Sequence, residues 1–281
     1  MTFETFLITS RETLEAALVV GIVLAYLVKT GNDRYKKSVW SGVFAGICLS
    51  ILVAILFTTI AGGFEGFAEE LFEGITMLIG AALLTTMIFW MMKQRNIASE
   101  IHGKVDAHLS HDNDWFSHWG IFLLITVAIL REGVETVIFL YAINVANGIS
   151  LINGLLGVVA AIVVGCIFFM SFKKINLKRL FTISSVLLIL FAAGLTAHGV
   201  HELQEAHVVP IIAEHIWDIN PEVIVEGVYP ILHEKGAIGG FFKGLFGYNG
   251  NPNLLEVIAW FVYLGFVAVV WRKMSQKVAK K

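Results

Sequence analysis

A charged motif that occurs twice inside apolar runs is the feature that most constrains this chain. Residues 11–15 read Arg-Glu-Thr-Leu-Glu and residues 131–135 read Arg-Glu-Gly-Val-Glu, and each motif lies in a run long enough to cross a bilayer. An arginine and two carboxylates are costly to insert at that depth unless they pair or face away from lipid. On a helix, the arginine and the second glutamate are four residues apart and the glutamates three apart, so the charges share one face. The motifs therefore predict two membrane-spanning helices whose charged faces meet inside a bundle.

The composition places the chain among membrane proteins. Of its 281 residues, 57% are hydrophobic and only 15% are charged, and the mean hydropathy is +0.78. These values indicate a polytopic membrane protein rather than a soluble domain. The basic residues lie in short clusters between apolar runs, so no nucleic-acid partner is expected. Cys48 and Cys166 both fall inside apolar runs, and we expect them to be free thiols.

Seven apolar runs have the length of a membrane-spanning helix, about 20 residues. The sequence therefore predicts an all-α polytopic membrane protein with seven transmembrane helices. The first run lacks the positive flank of a cleaved signal peptide and is expected to remain as a helix. The predicted spans are residues 3–28, 38–60, 71–92, 117–145, 151–171, 180–203 and 254–271.

The lysines and arginines predict the orientation of these spans, because cytoplasmic loops carry an excess of them. Basic residues cluster after spans 1, 3, 5 and 7, whereas residues 61–70 and 146–150 contain none. We therefore expect the N-terminus outside and the C-terminus in the cytoplasm. The basic clusters are Lys29, Arg34, Lys36 and Lys37; Lys93, Arg95 and Lys104; Lys173, Lys174, Lys178 and Arg179; and Arg272, Lys273, Lys277, Lys280 and Lys281.

The order of the motifs predicts an internal repeat. A charged motif opens spans 1 and 4, and each is followed by a span whose first turns contain paired glycines, at 40–46 and at 152–157. Because each unit has three spans, the second unit must be inverted relative to the first, as in many secondary transporters. We expect a single permease domain over 1–281. Its parts are a first repeat at 1–95, a second at 115–205, an extracytoplasmic loop at 206–253 and a seventh helix at 254–271.

The motif glutamates are candidate ligands for a hard cation. Carboxylate oxygens suit Mg²⁺, Ca²⁺, Mn²⁺ and, by the same reasoning, Fe³⁺. The spacing allows two carboxylates of one helix to reach one ion, and a second helix can supply two more. The arginines Arg11 and Arg131 could keep these carboxylates ionised; alternatively, the charges pair only to make their burial tolerable. The candidate metal ligands are Glu12, Glu15, Glu132 and Glu135.

Further acids and histidines flank spans 3 and 6 on the expected outer side. A group of this kind can concentrate cations in front of a transport site. The alternative is that these residues are ordinary solvated helix ends. The possible outer vestibule consists of Glu69, Glu70, Glu73, His198, His201, Glu202 and Glu205.

The two motifs resemble those of a known family of transporters. Together with residues 194–205 (Gly-Leu-Thr-Ala-His-Gly-Val-His-Glu-Leu-Gln-Glu) and 246–252 (Phe-Gly-Tyr-Asn-Gly-Asn-Pro), they are similar to the oxidase-dependent iron transporter family, the high-affinity ferric iron permeases of fungi and bacteria. The resemblance covers nearly the whole chain.

The resemblance implies a permease of the cytoplasmic (bacterial inner) membrane, not an enzyme. Its substrate would be ferric iron (Fe³⁺). A separate extracytoplasmic protein would either produce this Fe³⁺ by oxidising Fe²⁺ or deliver it. No cofactor would be bound permanently. The resemblance also implies that the four motif glutamates handle the iron and that both arginines are integral to the motifs.

Proteins of other classes remain as alternatives. The nearest is a transporter or channel for another cation (Mn²⁺, Pb²⁺, Mg²⁺ or protons) that uses the same glutamates. A seven-helix retinal protein requires a Schiff-base lysine, and residues 254–271 contain none. A receptor has no need of four carboxylates in the membrane interior. A metalloenzyme built on His198, His201, Glu202 and Glu205 lacks the complete H-E-x-x-H signature.

Overall fold

The described part of the chain is helical and contains no strands. The computed structural model describes residues 3–93, 97–109, 114–170, 177–214, 216–220, 229–231, 233–234 and 236–279. The helices are α1 (Phe3–Lys29), α2 (Lys36–Ala61), α3 (Phe67–Lys93), α4 (Ile97–Leu109), α5 (Asp114–Asn147), α6 (Leu151–Met170), α7 (Leu177–Glu205), α8 (Ala237–Phe246) and α9 (Leu254–Ala279). A 3-10 turn at Asp33–Tyr35 precedes α2.

Each predicted span coincides with a long helix: α1, α2, α3, α5, α6, α7 and α9. The shortest of these, α6, has 20 residues, enough for about 30 Å at 1.5 Å per residue. The all-helical class is confirmed, whereas the number of helices that cross the membrane and their orientation stay predictions. Among the described residues, four stretches have both the length and the hydropathy of a membrane span: Asp33–Ala61, Phe67–Met91, Ser184–Glu205 and Leu254–Met274.

Two shorter helices lie outside the predicted spans. The first, α4, packs against α1 and α5. The Tyr26 hydroxyl donates a hydrogen bond to Asp106 (2.5 Å), and its ring stacks on His102 with centroids 4.1 Å apart. With 13 residues, α4 is too short to cross a bilayer.

The second short helix, α8, brings the chain that follows α7 back against the middle of α7. It ends at Gly247, whose φ of 66° is the left-handed conformation that glycine favours. A Cβ atom added at Gly194 would lie 2.6 Å from the Gly247 Cα, so the two backbones are in direct contact. Since Gly194 lies about 16 Å from the end of α7, α8 sits beside α7 rather than beyond it.

The long helices pack in a reciprocal pattern. The most extensive contacts join α1 to α6, α2 to α5 and α3 to α7, and α1 also packs against α5. Exchanging α1 with α5, α2 with α6 and α3 with α7 leaves this set of pairs unchanged: the α1–α6 pair becomes the α5–α2 pair, and the α3–α7 and α1–α5 pairs become themselves. The first helix of each set of three contacts the second helix of the other, and the third helices contact each other.

Glycines set the closest approaches at equivalent positions in these pairs. A Cβ at Gly157 of α6 would meet Thr9 Oγ1 and lie 2.6 Å from the Phe6 carbonyl oxygen. A Cβ at Gly46 of α2 would lie 2.7 Å from Ile129 Cβ and 3.1 Å from the Thr126 carbonyl oxygen. Thr9 and Ile129 both stand two residues before a motif arginine, and Phe6 and Thr126 both stand five before. The two helix pairs therefore meet in the same register.

The contacts also give the relative directions of the helices. Gly157 lies against Thr9, and eight residues further along each helix Gly165 lies against Ala17, so α1 and α6 run parallel.

The glycine contacts also give the directions of the helices in the other two pairs. In α2 and α5, Ile125 and Ile129 face Gly42 and Gly46 in ascending order, so this pair is also parallel. In contrast, α3 and α7 run antiparallel, because Gly74 faces Gly199 whereas the later Gly80 faces the earlier Leu195.

Two clusters of buried apolar side chains lie on either side of the charged motifs along the helix axes. One cluster joins α1, α3, α5 and α7 and includes Ile8 and Phe139. The other joins α1, α2, α4 and α5 and includes Val23 and Ile125. On both α1 and α5, one cluster precedes the motif and the other follows it. The charged motifs consequently lie between two apolar layers.

The glycine contacts predict a selective loss of stability. Gly157→Ala and Gly46→Ala each force a methyl group into a neighbouring helix, which typically costs about 1–3 kcal/mol. We expect both variants to lower the melting temperature of the detergent-solubilised protein. Gly265→Ala in α9 is the matched control, because a Cβ there has no heavy atom within 4 Å. Equal melting temperatures for all three variants would contradict the tight packing described above.

Candidate functional site

Three of the motif glutamates meet where α1 faces α5. One carboxylate oxygen from each of Glu12, Glu132 and Glu135 lies within 4.8 Å of the other two. The three residues are 2%, 8% and 9% exposed, respectively. Two helices therefore bring three carboxylates to one buried point, as the shared face of each motif predicts.

The fourth motif glutamate, Glu15, lies at the edge of this group. Its side chain is 12% exposed and its Oε1 is 3.2 Å from Arg11 Nε. It is close enough to Glu132 and Glu135 for mutual electrostatic repulsion. All four predicted ligands thus belong to one cluster, with Glu15 as its most accessible member on α1.

The two motif arginines differ in burial although they pair in the same way. The Nε atom of Arg11 lies 3.2 Å from Glu15, and that of Arg131 lies 2.9 Å from Glu135. The Arg11 side chain is only 2% exposed, and its Nη1 is also 3.7 Å from Glu12. The Arg131 side chain is 51% exposed. Arg11 is therefore enclosed with the carboxylates, whereas Arg131 flanks them at the surface of the bundle.

Several buried oxygens in the cluster accept no hydrogen bond. Both oxygens of Glu12, Oε1 of Glu15 and Oε2 of Glu132 have no donor within the part of the chain that the structure describes. Buried polar atoms in proteins are nearly always hydrogen-bonded. A cation placed among these oxygens would satisfy several at once.

The predicted outer acids form a second group where α3 meets α7. Gly74 and Gly199 bring these helices into contact, and the Glu202 Cβ lies 3.2 Å from the point that a Gly74 Cβ would occupy. Tyr141 donates a hydrogen bond to Glu73. The members that repel one another electrostatically are Glu69, Glu70, Glu73, Glu202 and Glu205.

The two histidines predicted with these acids lie in different surroundings. His201 bridges two carboxylates, with Nδ1 3.1 Å from Glu256 and Nε2 3.2 Å from Glu205. His198 donates from Nδ1 to the Gly194 carbonyl oxygen (3.2 Å) and lines a small cavity with Lys243. The structure therefore places His201 with the outer acids and His198 beside α8.

Sequence reasoning missed Glu256, which anchors the start of α9. It is 3% exposed and accepts hydrogen bonds from the side chains of Asn249 (2.8 Å) and Asn253 (2.6 Å). The side-chain oxygen of Asn253 accepts a hydrogen bond from the Glu256 backbone N–H (3.0 Å), and the Glu256 carboxylate accepts one from the Asn253 backbone N–H (3.3 Å). This reciprocal pairing is a capping box, and the spacing Asn-x-x-Glu before an apolar run is its sequence signal.

A partly buried carboxylate also anchors α8 outside the long helices. Glu234 accepts hydrogen bonds from the Asn220 side chain (3.0 Å) and the Gly250 backbone N–H (2.7 Å), and its other oxygen lies 3.5 Å from Lys243 Nζ. Burial alone raises the pKa of this carboxyl group, but the hydrogen bonds and Lys243 outweigh it and lower the pKa below 4.5. The charged form therefore holds the segment before α8 to the segment after it.

Comparison with known proteins gives one consistent result. The profile described as "Iron permease FTR1 family" matches residues 2–278. A protein of Escherichia coli O6:H1 called ferrous iron permease EfeU is 32% identical over 265 residues, which cover 93% of this chain and 92% of the relative. The protein of the same name from Yersinia pseudotuberculosis serotype I is 33% identical over 267 residues, covering 94% and 90%. No solved structure matches.

The unequal burial of the arginines predicts unequal effects of removing them. Arg11→Gln leaves Glu12 and Glu15 buried without their cation, and breaking a buried pair in this way costs about 3–5 kcal/mol. Arg131→Gln should cost less, because the Arg131 side chain is half-exposed and a solvent-screened ion pair contributes less to the folded state. Melting temperatures of the two purified variants measure the difference. A loss at Arg131 equal to or larger than that at Arg11 would contradict this assignment.

Proposed function

This chain belongs to the iron permease FTR1 family, and we propose that the cluster of motif glutamates is the site through which it carries iron. The observation that supports this proposal best is the approach of Glu12, Glu132 and Glu135 to within 4.8 Å of one another. Membership of the family makes the protein an integral membrane protein and a permease. The position of the cluster between two apolar layers suits an ion that pauses midway through the membrane.

The chemistry of the cluster fits an iron ion. All its ligand atoms are carboxylate oxygens, which bind hard cations well. With every group ionised, four glutamates and two arginines carry a formal charge of −2. An arriving cation would offset the mutual repulsion of the carboxylates and supply the partner that their oxygens lack. Arg11 and Arg131 limit the negative charge of the site between transport cycles.

We propose that two inverted repeats carry the site. The first repeat comprises residues 1–95 and the second residues 115–205, with residues 206–253 as the extracytoplasmic loop and 254–271 as an added helix. The reciprocal helix pairs and the equivalent glycine contacts support this division. In a chain that alternates direction at each span, spans 1 and 5 run parallel, spans 2 and 4 run parallel, and spans 3 and 6 run antiparallel. The helix directions agree with this topology.

We propose ferric iron as the ion carried, supplied by a separate extracytoplasmic protein that oxidises Fe²⁺. The purely carboxylate ligand set favours the harder Fe³⁺. The second candidate is Fe²⁺ itself, and two observations favour it. The relatives are called ferrous iron permeases, and a divalent ion would balance the charge of −2. Manganese, lead, magnesium or protons remain candidates for the same glutamates.

The central test separates metal ligation from simple charge pairing. Glu15→Gln and Glu135→Gln each retain the size of the side chain but remove one charged ligand and the partner of an arginine. We expect iron uptake into proteoliposomes to collapse in both variants while the proteins still insert and purify normally. Uptake is measured with Fe³⁺ citrate and, in parallel, with Fe²⁺ under anaerobic conditions.

Double variants provide the control for this test. If the glutamates only neutralise the arginines, removing both partners restores the protein, and Arg11→Gln/Glu15→Gln and Arg131→Gln/Glu135→Gln regain transport. If the glutamates bind the ion, the double variants fold but stay inactive, which is the result we expect. Transport recovered in both double variants would overturn the proposed site.

The outer acids are proposed as a vestibule that attracts cations. Neutralising Glu69, Glu70 and Glu205 together should slow uptake at low iron concentration and low ionic strength. The effect should fade with added salt, since screening shortens the range of the field to about 8 Å at 0.15 M. Measuring initial rates across both variables checks this expectation. Rates that match those of the unmodified protein at low salt would leave these residues as solvated helix ends.

A further inference from the structure

Two consecutive residues at the end of α3 contact the two motif arginines. The Sδ atom of Met91 accepts a hydrogen bond from Arg11 Nη2 at 3.0 Å. The ring centroid of Trp90 lies 5.6 Å from Arg131 Cζ, within the range of a cation–π contact. Consecutive side chains on a helix point about 100° apart, so one turn of α3 reaches α1 with one residue and α5 with the next. Neither residue belongs to a charged motif.

We propose that Trp90 and Met91 are positioning residues for the transport site. This role rests on the proposed function of the glutamate cluster. Each arginine is held at two points: Nε faces the second glutamate of its own motif, and the outer end of the guanidinium faces α3. Held in this way, the guanidinium groups orient Glu15 and Glu135 and are kept from closing over the first glutamates.

The freedom of an unheld arginine explains why this restraint matters. An arginine side chain has many rotamers, worth about 2 kcal/mol of entropy, and Arg11 Nη1 is already 3.7 Å from Glu12 Oε1. Without Met91, the guanidinium can move onto the Glu12 oxygens, which accept no hydrogen bond from any described residue. It would then compete with the arriving ion for the same oxygens.

The type of partner suits the task. A thioether is a weak hydrogen-bond acceptor, and an aromatic face attracts a cation without carrying a charge. Both groups therefore orient an arginine but leave its charge available to the carboxylates. Trp90 also lies against Arg131, whose side chain is half-exposed at the surface of the bundle.

Substitutions at Met91 distinguish positioning from packing. Met91→Leu retains the volume but has no acceptor, whereas Met91→Gln restores an acceptor and packs less well in apolar surroundings. We expect Met91→Leu to weaken iron binding by the purified, full-length protein about 10-fold, as outer-shell changes commonly do, and Met91→Gln to bind more tightly than Met91→Leu. A residue that only fills space would give the opposite order.

Substitutions at Trp90 repeat the test on the other arginine. Trp90→Phe keeps an aromatic face and should bind iron nearly as well as the unmodified protein, whereas Trp90→Leu should bind it several-fold more weakly. Met77→Leu in α3 and Trp119→Leu in α5 are the matched controls, since neither side chain contacts a motif arginine. The probes are Fe²⁺ under anaerobic conditions and Fe³⁺ citrate, with binding followed by calorimetry on monodisperse protein.

One further variant separates this inference from the proposed function. If Glu132→Gln binds iron as well as the unmodified protein does, the transport site itself is wrongly assigned. If Glu132→Gln abolishes binding but the Met91 and Trp90 variants bind normally, only the positioning role is overturned. Tighter binding by Met91→Leu than by Met91→Gln would likewise overturn it.

Discussion

Repulsion between buried carboxylates is the interaction on which this structure depends. At an effective dielectric constant of about 20, two unit charges 4.8 Å apart repel by about 3.5 kcal/mol. One oxygen each of Glu12, Glu132 and Glu135 lies within this range, so these groups repel one another when they are ionised, and apolar layers lie on both sides of them. The two arginines offset part of the repulsion. A bound cation would offset the rest, as the proposed transport site requires.

Close helix packing imposes this proximity. Gly157 and Gly46 remove the side chains that would separate α1 from α6 and α2 from α5. Both contacts lie a short distance before a motif arginine, so the same residues that join the helices also fix the level of the charges. Because each glycine stands at the same position relative to the motif of the helix that it contacts, the α1 and α5 motifs lie in the same register against α6 and α2.

The sequence predicts the long helices well because each contains a largely apolar run of about 20 residues, and that requirement is nearly independent of tertiary context. It also predicts that the motif glutamates lie together, since charges inside such runs are rare and have few explanations, and the structure places oxygens of Glu12, Glu132 and Glu135 within 4.8 Å of one another. It does not identify α4 or α8, whose lengths of 13 and 10 residues leave no comparable signal. Both become ordered against neighbouring helices, α8 through a backbone contact at Gly194.

Tertiary contacts also determine the parts of the site that sequence reasoning did not find. Trp90 and Met91 resemble any other residues at the end of an apolar helix, and only the meeting of α3 with α1 and α5 gives them a partner. The separation of His198 from His201 has the same origin. They are three residues apart on α7, yet one faces Lys243 and the other joins Glu205 to Glu256. Glu256 alone had a local signal, in the capping box that it forms with Asn253.

Locating iron directly in the protein is the sharpest measurement of the central claim. Crystals of the full chain grown with iron, with diffraction recorded on both sides of the iron absorption edge, would show where the ion binds. We expect an anomalous peak in contact with the carboxylates of Glu12, Glu132 and Glu135. A peak confined to the outer acids, with Arg11 still paired to Glu12 and Glu15 and no iron between the motifs, would contradict the claim.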